Sequence, residues 1–202
     1  MPAPHFRRAF KSSMPACLLL AVAVLLAACT GLPVKEASDA LRSKQVCCKN
    51  YSDVTYIPIK QGIRQKFDIS MDSPVMELNY RRPVYFLPLK LPSATRSLNI
   101  QTMESEYLPK TSYLDPAITI LDNQFKELST QVSLPLQRGK HVILPGLWEW
   151  NFNTTIDLPQ EAAYVIIYGD PRSKRVRQAV SENGTPWPIP PSPIGSIAVV
   201  PQ

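Results

Sequence analysis

Proline constrains this chain more than any other residue: there are 21 prolines against seven glycines. Proline has no backbone N–H and clashes with the preceding helical turn, so it breaks helix interiors and central strands. Spread along the chain at this density, it excludes long helices. It favours short strands whose corners are marked by proline.

The apolar runs between the prolines read as such strands. Val54–Ile59 is β-rich, Val84–Leu89 is a continuous apolar run, and Ser97–Thr102 alternates polar and apolar with period two. Ala117–Leu121 reads as a buried strand before the turn signal Asp122-Asn123, with Phe125–Leu128 as its return. Leu147–Phe152 places Trp148, Trp150 and Phe152 on one face. Ala163–Tyr168 is the most apolar run and is expected at the centre of a sheet, stopped by Gly169-Asp170-Pro171. Ile194–Val200 closes the series. The predicted fold is all-β, an antiparallel two-sheet sandwich or jelly roll. Pro186–Pro193 reads as an extended, polyproline-like segment laid over it.

The N-terminus carries an address. Arg7, Arg8 and Lys11 precede the apolar stretch Met14–Ala28, which ends in Ala27-Ala28-Cys29. That stretch is shorter than the roughly 20 residues that span a bilayer. A basic start, an apolar segment, small residues and a cysteine resemble a bacterial lipoprotein signal. The expectation is a leader over 1–28, removed, and lipidation of Cys29. Thr30 favours the outer membrane, with the domain facing the periplasm. Residues 29–45 then read as a lipidated tether and 46–202 as the β-sandwich domain. Val34–Gln45 has Val34, Ala37 and Leu41 on one face of a short amphipathic helix. The leader takes three of the 22 lysines and arginines and none of the 16 acidic residues, so the formal charge of +6 overstates the working protein. No nucleic-acid partner is expected.

Four motifs appear in order: Tyr56-Ile57-Pro58-Ile59, Pro116 to Asp122, Tyr164 to Tyr168, and Pro188 to Gly195 before a terminal strand. With the adjacent pair Cys47-Cys48, they resemble the maltose-operon periplasmic protein family, in particular its shorter lipoprotein relatives. The resemblance covers about residues 45–200. It implies a periplasm-facing β domain associated with maltodextrin uptake, and it implies no active site.

Candidate sites are few. Cys47 and Cys48 have no other cysteine to pair with once Cys29 is acylated and Cys17 leaves with the leader. They read as a vicinal disulfide, as two buried thiols or as an intermolecular bridge. Trp148, Trp150 and Trp187, with Tyr164 and Tyr168, are candidates for a sugar platform; the competing reading of Trp148 and Trp150 is core. Trp187, in the proline-rich segment, is the candidate for exposure. Arg172, Lys174, Arg175 and Arg177 form a basic cluster able to meet an anionic surface, or else a solvated loop; Arg81-Arg82 is a smaller instance. No catalytic motif, metal-ligand spacing or cofactor signature is present. His141 stands alone after Lys140, and Glu104 and Glu106 alternate as on a strand edge. The chain therefore reads as non-enzymatic: an envelope lipoprotein serving as a binding or assembly accessory, membrane-held by acyl chains and meeting an outer-membrane or periplasmic protein. Direct carbohydrate binding is the alternative, and a glycan hydrolase is the third reading.

Overall fold

The computed structural model describes residues 34–78, 82–104, 111–144, 147–180 and 184–202, with backbone alone at 140–144 and 147–149. In chain order the elements are α1 (Val34–Ser43), β1 (Ile57–Pro58), β2 (Gln65–Ile69), β3 (Val75–Glu77), β4 (Pro83–Lys90), β5 (Ser97–Met103), β6 (Tyr113–Leu114) and β7 (Pro116–Leu121). They continue with β8 (Glu127–Gln131), β9 (Gln137–Leu144), β10 (Leu147–Asp157), β11 (Tyr164–Gly169), β12 (Arg177–Val180), β13 (Pro186–Ile189), β14 (Pro191–Ser192) and β15 (Gly195–Pro201).

Two principal sheets carry the fold, which is all-β and sandwich-like. The first runs β1-β4-β11-β7-β8, with β3 beside β4; the second runs β2-β15-β5-β10-β9. Pairing is antiparallel throughout both except for the short parallel contact of β1 with β4. Tyr85, Leu87, Leu89, Ile118, Ile120, Val165 and Ile167 from the first sheet share one apolar core with Leu98, Ile100, Phe152, Ile156, Ile197 and Val199 from the second. The alternation expected over Ser97–Thr102 is seen in β5, where Leu98, Ile100 and Thr102 are buried between half-buried neighbours.

The first sheet is covered on both faces. Met76, Val84, Phe86, Ala117, Leu121, Ile166 and Tyr168 form a second cluster, against which Cys48, Tyr51, Val54 and Tyr56 pack. Residues 48–56 thus lie over the sheet as a cover. This is why β4 and β11 are continuous apolar runs: a strand buried on both faces has no polar side to alternate. β11 lies at the centre of its sheet, between β4 and β7, as its sequence predicts.

Some strand expectations shift. Val54–Ile59 meets β4 only from Ile57 on, with Ile59 donating to the Lys90 carbonyl at 3.1 Å, because the stretch before it belongs to the cover and holds a 3-10 turn at Tyr51–Asp53. The return after β7 starts at Glu127, not Phe125, since Asp122–Lys126 forms the turn. The proline-rich segment is not an unpaired polyproline helix: β13 pairs antiparallel with β12, and β14 pairs parallel with β6. Its alternating prolines explain this. Trp187 and Ile189 keep their N–H groups on one edge of β13, which can bond β12, while Pro186 and Pro188 offer no donor on the other.

The stretch read as a tether is largely folded. Leu32–Gln202 forms one compact unit. Within it α1 is helical and buries Ala37 and Leu41 against β4 and β14. The spacing of four places both side chains on one helix face. Lys44, just past the helix, donates from Nζ to the carbonyl of Met71 and lies 5.3 Å from the centre of the Tyr85 ring.

Candidate functional site

The basic run after β11 is pulled apart by the fold. Asp115, at the start of β7, is buried with its side chain 1% exposed. Arg175 meets it with two hydrogen bonds, Nη2 to Oδ1 at 2.6 Å and Nε to Oδ2 at 2.9 Å. Nη1 of the same guanidinium donates to the carbonyl of Leu134 at 2.9 Å, and the Ser173 hydroxyl also donates to Asp115. Tyr113 donates from its hydroxyl to the Arg175 carbonyl at 2.9 Å. Burial and the negative charge of Asp115 raise the pKa of that phenol. Arg175 is therefore a structural clamp and not part of a free basic surface. Arg177 lies over the Phe152 ring at 5.7 Å, half-buried. Arg172 stands 3.8 Å from Asp170. Only Arg172 and Lys174 remain on the exposed surface.

A cavity of about 490 Å³ opens where α1 meets the sandwich. Val34, Ser38, Leu41 and Arg42 of the helix form one side; Arg82 and the first residues of β4, including Tyr85, form another. The end of β11 with Asp170 and the proline-flanked Ser192 complete it. Arg42 and Arg82 are both exposed at its margin. Gly169 makes the floor possible: a Cβ there would lie 3.1 Å from the Ser192 carbonyl oxygen and 3.2 Å from Pro193 Cα, both backbone atoms that cannot swing away. The volume falls in the range of small-ligand pockets. Of these residues the sequence reading names only Arg82 as a candidate for a site, because the cavity assembles residues from Val34 to Pro193.

The aromatic candidates separate. Trp150 is 43% exposed, and Arg138 stacks over it at 4.5 Å while pairing with Glu104 at 3.0 Å. It shares a strand face with buried Phe152, yet it stands two residues earlier, before β10 begins to pair with β5 at Asn151. The core reading of Trp150 is thus corrected. Trp187 is half-buried, because β13 is paired and not free. Tyr168 is buried in the second core cluster. Tyr164 is half-buried and joins Tyr56 and Phe125 in a compact group with ring centres 4.5 to 5.6 Å apart. Phe125 sits there at φ 62°, a left-handed backbone that aromatic residues rarely adopt. The side chains of Trp148 and His141, together with Cys29, Arg81 and Glu106, lie outside the described residues.

Cys47 and Cys48 are joined by a disulfide, with Cα atoms 3.8 Å apart. The pair stands where the cover begins. Cys47 donates its backbone N–H to Val75 at 2.8 Å, and Cys48 forms a parallel bridge with Met76. The reading as two packed free thiols does not hold in this structure: Cys47 is exposed, Cys48 half-buried, and both are bonded. Farther along the cover, Tyr51 donates to Glu127 at 3.3 Å, and Thr130 donates to the other Glu127 oxygen at 2.7 Å. Burial, then the charge of Glu127, pushes the Tyr51 phenol up to about 12.

Among the described residues no three His, Cys, Asp or Glu side chains gather closely enough to hold a metal ion. No described helix is long and apolar enough to cross a membrane. Fold and site together define a sandwich-like β domain with a small cavity beside α1 and a disulfide-headed cover. No family model matches the chain, and no curated protein or solved structure is found that resembles it.

Proposed function

We propose that this chain is an envelope lipoprotein, acylated at Cys29 and held in the outer membrane facing the periplasm. Its domain acts without catalysis, as a binding or assembly accessory for a membrane or periplasmic protein. One observation carries the reading: a basic leader, an apolar run and Ala27-Ala28-Cys29 end a few residues before the compact unit begins at Leu32. A lipidated cysteine so placed leaves little slack, and two or three acyl chains hold far more firmly than one. The resemblance to the maltose-operon periplasmic family is the ground for linking the accessory role to maltodextrin or other carbohydrate uptake.

The test is radiolabelled palmitate incorporation and membrane fractionation of the full chain in a double-membraned bacterium. The expected result is label in the wild type and none in Cys29→Ser, with the variant released to the soluble fraction. A Cys29→Ser protein that stays in the membrane overturns the anchor.

Direct carbohydrate binding is the second reading, favoured by the 43% exposure of Trp150. A flat ring with one face open stacks on pyranose C–H groups. Maltooligosaccharide titration would then change tryptophan fluorescence, and Trp150→Ala would abolish the change.

A further inference from the structure

The cavity beside α1 lies where the chain departs toward Cys29. Val34, the first residue of the helix, lines it. Five chain steps lead from Cys29 to Val34, a reach of at most about 18 Å for extended chain. If Cys29 carries acyl chains, Val34, which lines the cavity, stands within that distance of the acylated residue. This face is also the one bearing Arg42 and Arg82. Among the described residues Arg42 pairs with the exposed Asp39 at 3.6 Å, and Arg82 makes a long 3.5 Å contact with the Pro171 carbonyl. Among the described residues the carboxylate lining the cavity is Asp170, which accepts from the Arg172 backbone at 3.0 Å and has the Arg172 side chain 3.8 Å away. Tyr85, also in the wall, has a buried hydroxyl with no hydrogen-bond partner.

We propose that this cavity takes the phosphate-bearing headgroup of an anionic phospholipid of the membrane that holds Cys29. The proposal rests on the lipoprotein reading above. Arg42 and Arg82 supply the charge for a phosphodiester, which guanidinium groups bind with paired N–H donors. Ser38, whose hydroxyl donates to the Val34 carbonyl at 2.8 Å, offers its oxygen as an acceptor to a glycerol hydroxyl. A headgroup so held orients the sandwich, with α1 against the bilayer and the far ends of β4 and β11 turned away from it.

The test uses residues 30–202, which contain the compact unit with its own core and lack the acylated cysteine. Flotation with vesicles of equal phosphatidylglycerol and phosphatidylcholine is expected to recover the protein; vesicles of phosphatidylcholine alone are not. Arg42→Gln with Arg82→Gln is expected to weaken binding about 10- to 30-fold, from the usual worth of two cations at an anionic surface. Lys60→Gln with Lys90→Gln removes the same charge at the opposite end of β4, where both lysines are exposed. That pair is expected to leave binding unchanged. Equal loss from both pairs overturns the site, as does no binding to anionic vesicles. Displacement by inorganic phosphate as effective as by glycerophosphoglycerol overturns the lipid as its source. The palmitate experiment runs alongside. Label in the full chain with no vesicle binding by 30–202 sinks the cavity alone, while vesicle binding without label sinks the anchor alone.

Discussion

Arg175 closes on Asp115 through two hydrogen bonds, 2.6 and 2.9 Å, with the carboxylate sealed from solvent and the guanidinium side chain 31% exposed. The pair ties the loop after β11 to the start of β7. Removing one member of a buried pair strands the other's charge, at a cost of about 3–5 kcal/mol. The two sides are unequal here. Arg175→Ala leaves a buried carboxylate, whereas Asp115→Ala leaves a cation that water can reach. Both variants are expected to destabilise, Arg175→Ala by about 3 kcal/mol or more and Asp115→Ala by less. Urea unfolding midpoints at constant slope check this; the reverse order would contradict the burial argument.

Phe125 places an aromatic side chain on left-handed backbone at φ 62°. That conformation costs an L-residue about 1–2 kcal/mol, and glycine escapes the cost. The ring offsets it by packing on Tyr56 and Tyr164. Phe125→Ala loses the packing and keeps the strain; Phe125→Gly loses both. The glycine variant is expected to be more stable than the alanine variant by about 1 kcal/mol, the inverse of the order in regular structure. Thermal unfolding of the two variants decides it.

These two residues also mark what the sequence can tell. β4, β5, β7 and β11 are legible because burial on one face or two writes itself directly into hydropathy. Pro186–Ile189 is misread because proline counts are symmetric along the chain, while the missing N–H groups of alternating prolines disable one edge only. Arg175 is read as part of a patch because its partner Asp115 stands 60 positions earlier; no local pattern encodes that pairing. The short strands β2 and β3 form because the longer β15 and β4 offer them edges, and the two-residue β6 pairs only with the equally short β14. The cavity is invisible for the same reason as the ion pair: α1, β4, β11 and β14 meet only in the folded chain.

The Cys47–Cys48 bridge closes the shortest ring two cysteines can make. Disulfide stabilisation through the unfolded chain grows with the loop closed. This one constrains almost nothing beyond its own two residues. Cys47→Ser with Cys48→Ser is therefore expected to change unfolding stability by less than about 1 kcal/mol, against 2–4 for ordinary bridges. Alkylation without reductant is expected to leave both cysteines unlabelled, and after mild reduction exposed Cys47 labels before half-buried Cys48. Mass spectrometry of the peptide reads both outcomes. A large stability loss in the double variant would mean that the bridge positions the whole cover.

The cover should also fail at high pH before the sandwich does. Tyr51 is raised from about 10 to about 12, first by burial and then by Glu127, to which it donates. Tyr56 is raised by burial too, with the neighbouring phenols Tyr51 and Tyr164 adding to it. A phenol whose folded pKa exceeds its unfolded one binds its proton more tightly in the native state. Stability from it is complete below about pH 10, where both states are neutral, and falls as pH rises toward the folded value. Between pH 10 and 12 the unfolded chain ionises while the cover still resists. The expected result is a flat stability profile from pH 7 to 9.5 and a decline above 10. Tyr51→Phe cannot ionise and is expected to make that decline shallower, although it gives up the Glu127 hydrogen bond at neutral pH. Urea unfolding across pH 9 to 11.5, with tyrosinate absorbance followed in parallel, measures both. An unchanged alkaline slope in Tyr51→Phe would place the sensitivity in the buried phenols of the main core, Tyr85 and Tyr113, whose pKa values burial also raises.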